Sequence, residues 1–382
     1  RRDEYWKFTN PKTLLAADPS AAFVADDEAP VFNAIDKLLI EFVDGIYQPD
    51  QSDDLKAENL EIQTLADAMA SDIHWAKDLY GVLEDQGQLP VSRPFAALNT
   101  AVAEQGFVLR ATGKVSRPVA FRYLRSAEAS TAMIHHVIKI DAGADLTIFE
   151  NGAGAARLNT CMEVDVADGA AFHHVRTQGR EHDRQAITHI FGRLGAESKF
   201  KSFTVTVNGC MTRNEAVIEF TGDDAKATVA GACVGDGNFH HDDTIFVTHD
   251  AVNCESRQVF KKVLRNGATG VFQGKILVKA GAQKTDGYQI SQALLIDENA
   301  NFLAKPELEI YADDVICSHG STCGATDEAA MFYLMSRGIP KKQAQDLLIM
   351  AFLDQAIQEV EDDTVADEIR DRLADWTERR SA

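Results

Sequence analysis

A thiol and an imidazole stand two residues apart near the carboxyl end of the chain, within the stretch from Leu308 to Gly338. This stretch holds the densest set of potential metal or sulfur ligands in the sequence. If a strand runs through it, Cys317 and His319 point to the same side, because alternate residues of a strand share a face. Thiolate and imidazole both suit iron-sulfur clusters and zinc, so the pair could approach one metal or cluster, with Cys323 as a third ligand.

The same residues also have an ordinary structural interpretation. A buried cysteine behaves as a small apolar residue, and a single histidine is commonly held by hydrogen bonds within the fold. The spacing C-x-H-x3-C is not among the usual zinc-binding spacings. From spacing alone, metal or cluster chemistry and a purely structural role both stay open.

Three pairs of adjacent histidines form a second group of candidates. Neighbouring side chains of a strand point to opposite faces, so no pair can hold one metal with both rings. The third pair lies beside two aspartates and a further histidine, and carboxylates with imidazoles suit divalent cations. The pairs are His135 and His136, His173 and His174, and His240 and His241; the minor metal candidate comprises His240, His241, Asp242, Asp243 and His249.

The stretch between positions 242 and 257 also suggests an enzymatic alternative. Enzymatic β-helices build acid-base sites from carboxylates and basic residues on neighbouring turns, and Asp242, Asp243 and Arg257 fit such a site. The sequence has no dinucleotide-binding G-x-G-x-x-G, since Arg157 stands where the third glycine should be. It also has neither a phosphate-binding loop nor a G-x-S-x-G nucleophile elbow, so we expect no nucleotide hydrolysis by this chain.

The composition is that of a soluble globular protein with a strong acidic balance. The 382 residues include 38 basic and 59 acidic side chains, which gives a net charge of −21. A phosphate backbone would be repelled, so nucleic acid is not an expected partner. No run of about 18 apolar residues occurs, so we expect no membrane span. Six scattered cysteines do not resemble a disulfide framework and favour a reducing compartment.

Short alternating strands separated by Gly, Asp and Asn begin after Gly106. Turn-like tetrapeptides then recur at steps of 26, 26 and 27 residues, at Gly143, Gly169, Gly195 and Gly222. A repeat of this length indicates stacked units in which each buries a face of the next, and short strands make the stack a β-solenoid. We therefore predict a mainly β fold with a β-helix core over residues 106–315; a β-sandwich is the alternative.

Helical patterns flank this core on both sides. Residues 1–105 form a mixed, largely helical region, and residues 316–382 form a helical tail. In the tail, helices are predicted over Asp327 to Arg337 and over Lys341 to about Glu361. A third helix from Val365 carries an apolar stripe that either caps the open end of the solenoid or docks a partner, and this stripe consists of Ile369, Leu373 and Trp376.

Two blocks of the sequence resemble the SufB/SufD family of iron-sulfur cluster assembly proteins. The first covers positions 242–297 and begins DDTIFVTHDAVNCESRQVF, and the second reads LEIYADDVICSHGSTCGATDEAAMFYLMSRGIP over positions 308–340. The early EYWKFT at positions 4–9 is similar as well. The Cys-Ser-His-Gly form at 317–320 resembles the SufD branch, whereas the SufB branch tends to have Glu-His-Glu-Ala in that place.

The resemblance implies a right-handed parallel β-helix flanked by helical regions. It further implies a heterodimer with a SufB-like scaffold through the β-helices, with a homodimer as the alternative for the isolated chain. A SufC-like ABC ATPase would dock on the helices from Asp327 to Phe352. The residues expected at that surface are Phe332, Tyr333, Arg337, Gly338 and Phe352.

Carried over from the family, His319 matches the histidine that faces the SufB-like partner and would help to hold a nascent cluster, and Cys317 matches the neighbouring thiol. The cargo would be a transient iron-sulfur cluster or iron shared with that partner, and no tightly bound cofactor is expected in the isolated chain. The expected function is that of a non-catalytic scaffold subunit of a SufBCD complex in the cytoplasm, or in the plastid stroma of a eukaryote. Two rivals stay open: a stand-alone β-helix enzyme acting on carbohydrate or acyl groups, and a pure interaction protein in which both residues are structural.

Overall fold

The computed structural model describes residues 4–14, 31–71, 74–89, 91–127, 129–179 and 184–379. The described residues are mainly β, with 47% strand and 22% helix, and they form a parallel β-solenoid of about seven turns with terminal helices. The predicted β-helix is therefore confirmed. The β-sandwich alternative is wrong, because the core strands pair in parallel with strands one turn away rather than with antiparallel neighbours.

Two long sheets run along the solenoid, and successive strands of the core alternate between them. In chain order the strands are β1 (Leu38–Val43), β2 (Ile46–Tyr47), β3 (Leu60–Thr64), β4 (Phe107–Ala111), β5 (Val119–Leu124), β6 (Thr131–Ile140), β7 (Asp145–Gly152), β8 (Arg157–Val166), β9 (Ala171–Gln178), β10 (Gln185–Leu194), β11 (Lys199–Val207), β12 (Met211–Phe220), β13 (Lys226–Asp236), β14 (His240–His249), β15 (Glu255–Arg265), β16 (Thr269–Val278), β17 (Thr285–Leu295), β18 (Asn301–Ile310) and β19 (Val315–Gly324). Sheet A contains β1, β2 and the odd-numbered strands from β5 to β19. Sheet B contains β3 and the even-numbered strands from β4 to β18.

Inward side chains of one turn stack on those of the next, and this stacking forms the core. Phe172 and Phe200 occupy the same register position on β9 and β11, and their ring centroids lie 5.3 Å apart. Both side chains are fully buried. Burying one such side chain contributes about 1.5–3 kcal/mol, so each turn is stabilised by its neighbours rather than by itself.

The glycine repeat marks one corner of the solenoid. Gly143 and Gly169 have φ angles of 70° and 66°, which glycine adopts without steric cost. The N–H of Gly143 donates to the carbonyl of Asp168 at 3.0 Å, and the N–H of Gly169 donates to that of Ala196 at 2.7 Å. The predicted repeat therefore corresponds to the stacking of successive corners.

The two ends of the solenoid differ. At the amino-terminal end, β2 and β3 pair antiparallel with β1 and β4 and close the core. At the other end, β18 and β19 each have a strand neighbour on one side only within the described residues. These two strands and the turn at 311–314 are called the open end below. The β-structure is thus longer than the predicted span of 106–315, because β1 and β3 join the sheets and β19 reaches Gly324.

The helices are α1 (Pro11–Leu14), α2 (Leu65–Ala70), α3 (Val82–Gly87), α4 (Pro94–Val102), α5 (Glu328–Ser336), α6 (Lys341–Ile357) and α7 (Asp363–Arg379). The helices other than α5 lie along the flanks of the solenoid, and α5 contacts α6. Helices α3 and α4 contact the outer face of sheet B, and α6 and α7 contact that of sheet A.

The apolar stripe of α7 has a role that neither prediction described. Ile369, Leu373 and Trp376 are buried against Val205 and Val207 of sheet A. The indole N–H of Trp376 also donates to Asn208 Oδ1 at 3.1 Å. The stripe neither caps the open end nor stays exposed for a partner, because it covers the flank of the solenoid.

Candidate functional site

Cys317 and His319 lie on β19, the last strand of sheet A, which pairs in parallel with β17. In register, Cys317 stands over Gly287 and His319 stands over Gln289. The odd-numbered residues from Thr285 to Ala293 of β17 are buried, so the odd-numbered residues of β19 face the same interior. The two candidate ligands therefore share one face, as predicted, and their Cβ atoms are about 7 Å apart along the strand.

The Cys317 thiol is half-buried at the margin of the core. A Cβ added at Gly287 would lie 3.2 Å from Cys317 Sγ and 3.4 Å from Ile276, so glycine makes the room that the thiol occupies. Burial raises the pKa of the Cys317 thiol, although a hydrogen bond from the backbone of Gly287 acts in the opposite direction. The thiol is therefore mainly protonated at neutral pH and must lose a proton to ligate a metal.

His319 differs from the other histidines in its exposure. Of the ten histidines in the described part of the chain, it alone is exposed. Its ring makes no hydrogen bond to any other described residue, whereas the buried His135, for example, bonds both Asn99 and Glu163. A solvent-facing imidazole with free ring nitrogens is available to a metal or to a partner protein.

The predicted third ligand is too distant. Cys323 lies four residues beyond His319 on β19, which is about 13 Å along an extended strand. Cys323 and Phe352 are among the residues that line a cleft of about 310 Å³ between the solenoid and α6. Within the described residues, no three Cys, His, Asp or Glu side chains converge as metal ligands. Cys317 and His319 therefore supply at most two donors.

The two edge strands of the open end differ in chemistry. β18 contains Lys305, Pro306 and Glu307, and charges and proline are the residues that discourage pairing at a sheet edge. β19 reads VICSHGSTCG and contains neither proline nor a Lys, Arg, Asp or Glu residue. Its unpaired side is therefore a ten-residue edge open to another strand.

Apolar side chains surround this edge. Ile316 on β19 is 74% exposed, and Tyr311 in the preceding turn is 62% exposed. Leu303 and Ile310 of β18 are also among the exposed large apolar residues. Exposed apolar groups collected around an unpaired strand are typical of a protein interface.

Helix α5 projects from the carboxyl end of β19. The Asp327 side chain caps its first turn by accepting from the N–H groups of Ala329 and Ala330, and no residue of the helix is buried. Phe332 and Tyr333 are 75% and 57% exposed. Of the other residues predicted at the ATPase surface, Arg337 packs over the Tyr333 ring at 5.1 Å and Gly338 ends the helix with a φ of 88°, while Phe352 is half-buried against Lys261 of the solenoid.

The residues of the enzymatic alternative do not meet. Asp242 forms an ion pair with Arg213 at 2.6 Å on the outer face of sheet B, under the amino-terminal segment. Asp243 points into the solenoid and pairs with Lys262. Arg257 lies on the outside of sheet A. The acid-base site predicted from these three residues is therefore wrong.

Each histidine pair is divided by its strand, as predicted. His173 lies 3.8 Å from Asp145 on the outer face, while His174 bonds Glu150 inside. His240 contacts Thr9 outside, while His241 bonds Lys262 inside. The minor metal candidate around His240 to His249 is therefore wrong, because its members face opposite sides of β14.

The sequence of residues 123–352 matches the family model described as SUF system FeS cluster assembly, SufBD core domain. This match spans more than half of the chain. The chain belongs to the SufB/SufD family. The matched region runs from β5 into α6 and includes the open end, Cys317, His319 and α5.

Three similar proteins cover between 65% and 98% of this chain. The iron-sulfur cluster assembly protein SufD of Escherichia coli is 26% identical over 394 residues, which cover 98% of this chain and 88% of the relative. SufD of Bacillus subtilis is 28% identical over 257 residues, covering 65% and 58%. The chloroplastic protein ABCI7 of Arabidopsis thaliana is 26% identical over 275 residues, covering 68% and 58%.

One further feature concerns membranes. None of the helices in the described ranges combines the length and the apolar character that crossing a bilayer requires.

Proposed function

We propose that this SufB/SufD family chain is a non-catalytic scaffold subunit of a SufBCD complex, in which it helps to build and transfer nascent iron-sulfur clusters. The observation that carries the proposal is the open end. There, a solvent-facing histidine and a half-buried thiol lie on an unpaired edge strand that has no charged residue or proline.

A SufB-like scaffold is the partner proposed for the open end. Strand pairing with β19 would satisfy the N–H and C=O groups that this strand leaves without a strand partner. Ile316 and Tyr311 would be buried at the same time. A homodimer through the same edge is the form proposed for the chain when no SufB-like partner is present.

The cluster would be cargo shared between two chains. Iron in a cluster takes four ligands, and this chain supplies two donors at most, from His319 and Cys317. The remaining ligands would come from the SufB-like partner and from cluster sulfide. This division accounts for a binding site that lies on a surface rather than in a closed cavity.

A SufC-like ABC ATPase is the partner proposed for α5 and the start of α6. Two aromatic side chains, Phe332 and Tyr333, project from a helix with no buried residue, so a partner could cover both without unfolding the solenoid. Nucleotide-driven movement of the ATPase would be transmitted through α5 to the adjoining β19. The scaffold pair would then open and close around the cluster ligands.

Affinity capture tests the proposal as a whole. The tagged chain is co-expressed with SufB-like and SufC-like proteins from the same organism, and the mass of the eluted complex is measured. The proposal predicts one copy of each scaffold with two copies of the ATPase. Recovery of the folded chain with neither partner would contradict it.

A further inference from the structure

Directly beneath His319 lies a buried glutamine that has no hydrogen-bond partner. Gln289 on β17 is the register neighbour of His319 and is fully buried. Neither its amide nitrogen nor its amide oxygen has a partner among the described residues. Buried amides are nearly always hydrogen-bonded, so this side chain departs from the rule at the place where the proposed site lies.

The amide of Gln289 lies close to the backbone of the opposite sheet. A Cβ added at Gly274 on β16 would lie 2.5 Å from Gln289 Nε2 and 2.6 Å from its Cδ. Any larger residue at 274 would therefore collide with the amide. The side chain of Gln289 therefore extends from sheet A across the interior to sheet B. Its carboxamide fits there because residue 274 has no Cβ atom.

The flanking inward positions of β17 face β19 differently from Gln289. Ser291, two residues along β17, hydrogen-bonds Ser321 directly above it. Gly287 on the other side makes room for the Cys317 thiol. In-register strands place side chains about 4.8 Å apart, which is the spacing at which stacked amides and rings can bond one another.

We infer that Gln289 is a positioning residue for His319. A histidine that ligates a metal through one ring nitrogen bonds a second group through the other, and that bond fixes the tautomer and the orientation of the ring. An amide can either donate to a bare ring nitrogen or accept from a ring N–H. When a partner covers the open end and removes water from His319, the Gln289 amide on the neighbouring strand would make this bond.

The inference rests on the proposed role of His319 in cluster assembly. It adds Gln289, which lies on the neighbouring strand β17, to the proposed site. It also gives a role to an amide that has no hydrogen-bond partner in the free chain. The cargo is the same iron or iron-sulfur cluster.

Three variants of the full chain test this inference in the reconstituted complex. Gln289→Leu keeps the approximate volume and removes both amide atoms. Gln289→Glu keeps an oxygen that can accept from the ring. Gln258→Leu is the matched control, because Gln258 is the register neighbour of Gln289 one rung deeper, is equally buried, and has an amide equally without a partner.

Cluster yield and stability are measured together. Gln289→Leu should lower the yield about tenfold or more, which is the range for lost outer-shell partners of metal-ligating histidines. Its midpoint of chemical unfolding should not fall, because leucine replaces an amide without partners. Gln289→Glu should keep most of the yield, and Gln258→Leu should behave like the parent.

Two results would overturn the inference. Parent yield in Gln289→Leu would show that the amide is not needed, and an equal loss in Gln258→Leu would show that the effect is one of core packing. His319→Ala is run alongside to separate the two proposals. A deficient His319→Ala with a normal Gln289→Leu removes only the role of Gln289, whereas a normal His319→Ala removes the proposed role of His319 itself.

Discussion

Glu150 is the centre of a polar network inside the solenoid. Its carboxylate accepts from Tyr123 at 2.8 Å, from His174 at 2.7 Å and from Arg176 Nε at 2.8 Å. Burial alone would raise the pKa of Glu150, but Arg176 and His174 hold it well below its ordinary value. The network continues through Thr188, Asn214, His241 and Lys262 to Asp243. A charged interior of this kind depends on complete pairing.

Burial favours the neutral form of three core histidines, His136, His189 and His249. The Phe107 N–H donates to His136 Nδ1, and the other ring nitrogen bonds the Tyr123 hydroxyl at 3.0 Å. A second proton, on Nδ1, would place two donors against each other and break the hydrogen bond from the Phe107 N–H. Burial lowers the pKa of His136 to about 3, and it lowers those of His189 and His249 to about 4.

These histidines make stability depend on pH. Their folded pKa values lie below the unfolded value of about 6.5, so their contribution is complete above that pH and is lost as the pH falls toward the folded values. Each should cost about 1.4 kcal/mol of unfolding free energy per pH unit below about 6.5. Chemical unfolding at pH 7 and 5.5 measures the loss.

One histidine variant locates the source of this pH dependence. His249→Gln should reduce the loss between pH 7 and 5.5, because it removes one buried imidazole whose pKa is lowered by burial. Equal stability of the parent at both pH values would contradict the account.

At the scale of the element, β19 is the strand through which we propose pairing with the second scaffold. A lysine at Ile316 would place a charge on the unpaired edge, and charges oppose edge-to-edge pairing. We expect Ile316→Lys to weaken capture of the SufB-like partner about tenfold, a cost of about 1.4 kcal/mol. Because Ile316 is 74% exposed, the fold of the free chain should not change.

The control for this variant lies on another surface. Leu89 is 81% exposed near α3, so Leu89→Lys makes the same kind of change away from the open end. It should retain full capture in a binding titration. Equal affinities for the parent, Ile316→Lys and Leu89→Lys would mean that β19 is not the contact.

Helix α5 gives a separate prediction about the ATPase. Truncating Phe332 and Tyr333 together to alanine should remove most of the SufC-like binding, because exposed aromatic residues are frequent anchors of interfaces. Capture of the SufB-like partner should persist, and the unfolding midpoint should stay near that of the parent. Leu98→Ala on α4, also an exposed apolar position, is the control. Unchanged ATPase binding in the double variant would exclude α5 as the docking helix.

At the scale of the whole molecule, the chain closes one end of its solenoid and leaves the other open. The segment Glu4–Trp6 also contributes at the open end, because the Tyr5 carbonyl accepts from Arg213 and Gln273, and Lys305 of β18 sits 3.9 Å from the Tyr5 ring centroid. These contacts connect the segment Glu4–Trp6 to the last turn of the solenoid. They cover β18, whereas β19 has no comparable cover among the described residues.

The sequence contained most of this architecture. The glycine repeat and the period-two strands predict the solenoid because each turn repeats the same local pattern. The position of α7 could not be predicted, because an apolar stripe does not specify which surface covers it. The separation of Asp242 from Asp243 follows from strand alternation, but the burial of each depends on Arg213 and Lys262, which are distant in sequence. The sequence predicts only that Gln289 points inward, from the alternation of its strand. The lack of a hydrogen-bond partner for its amide depends on residues that are brought near it by the fold.

Cluster formation by the His319→Ala variant in the complete complex tests the central claim most directly. The complex is assembled with its SufB-like and SufC-like partners, and cluster formation is followed by absorbance and iron content against a His173→Ala control, in which a half-buried flank imidazole is removed. We predict an intact His319→Ala complex that forms cluster about tenfold more slowly or worse, with the His173→Ala complex near the parent rate. Cluster formation by His319→Ala at the parent rate would contradict the proposal that the open end of the solenoid holds the nascent cluster.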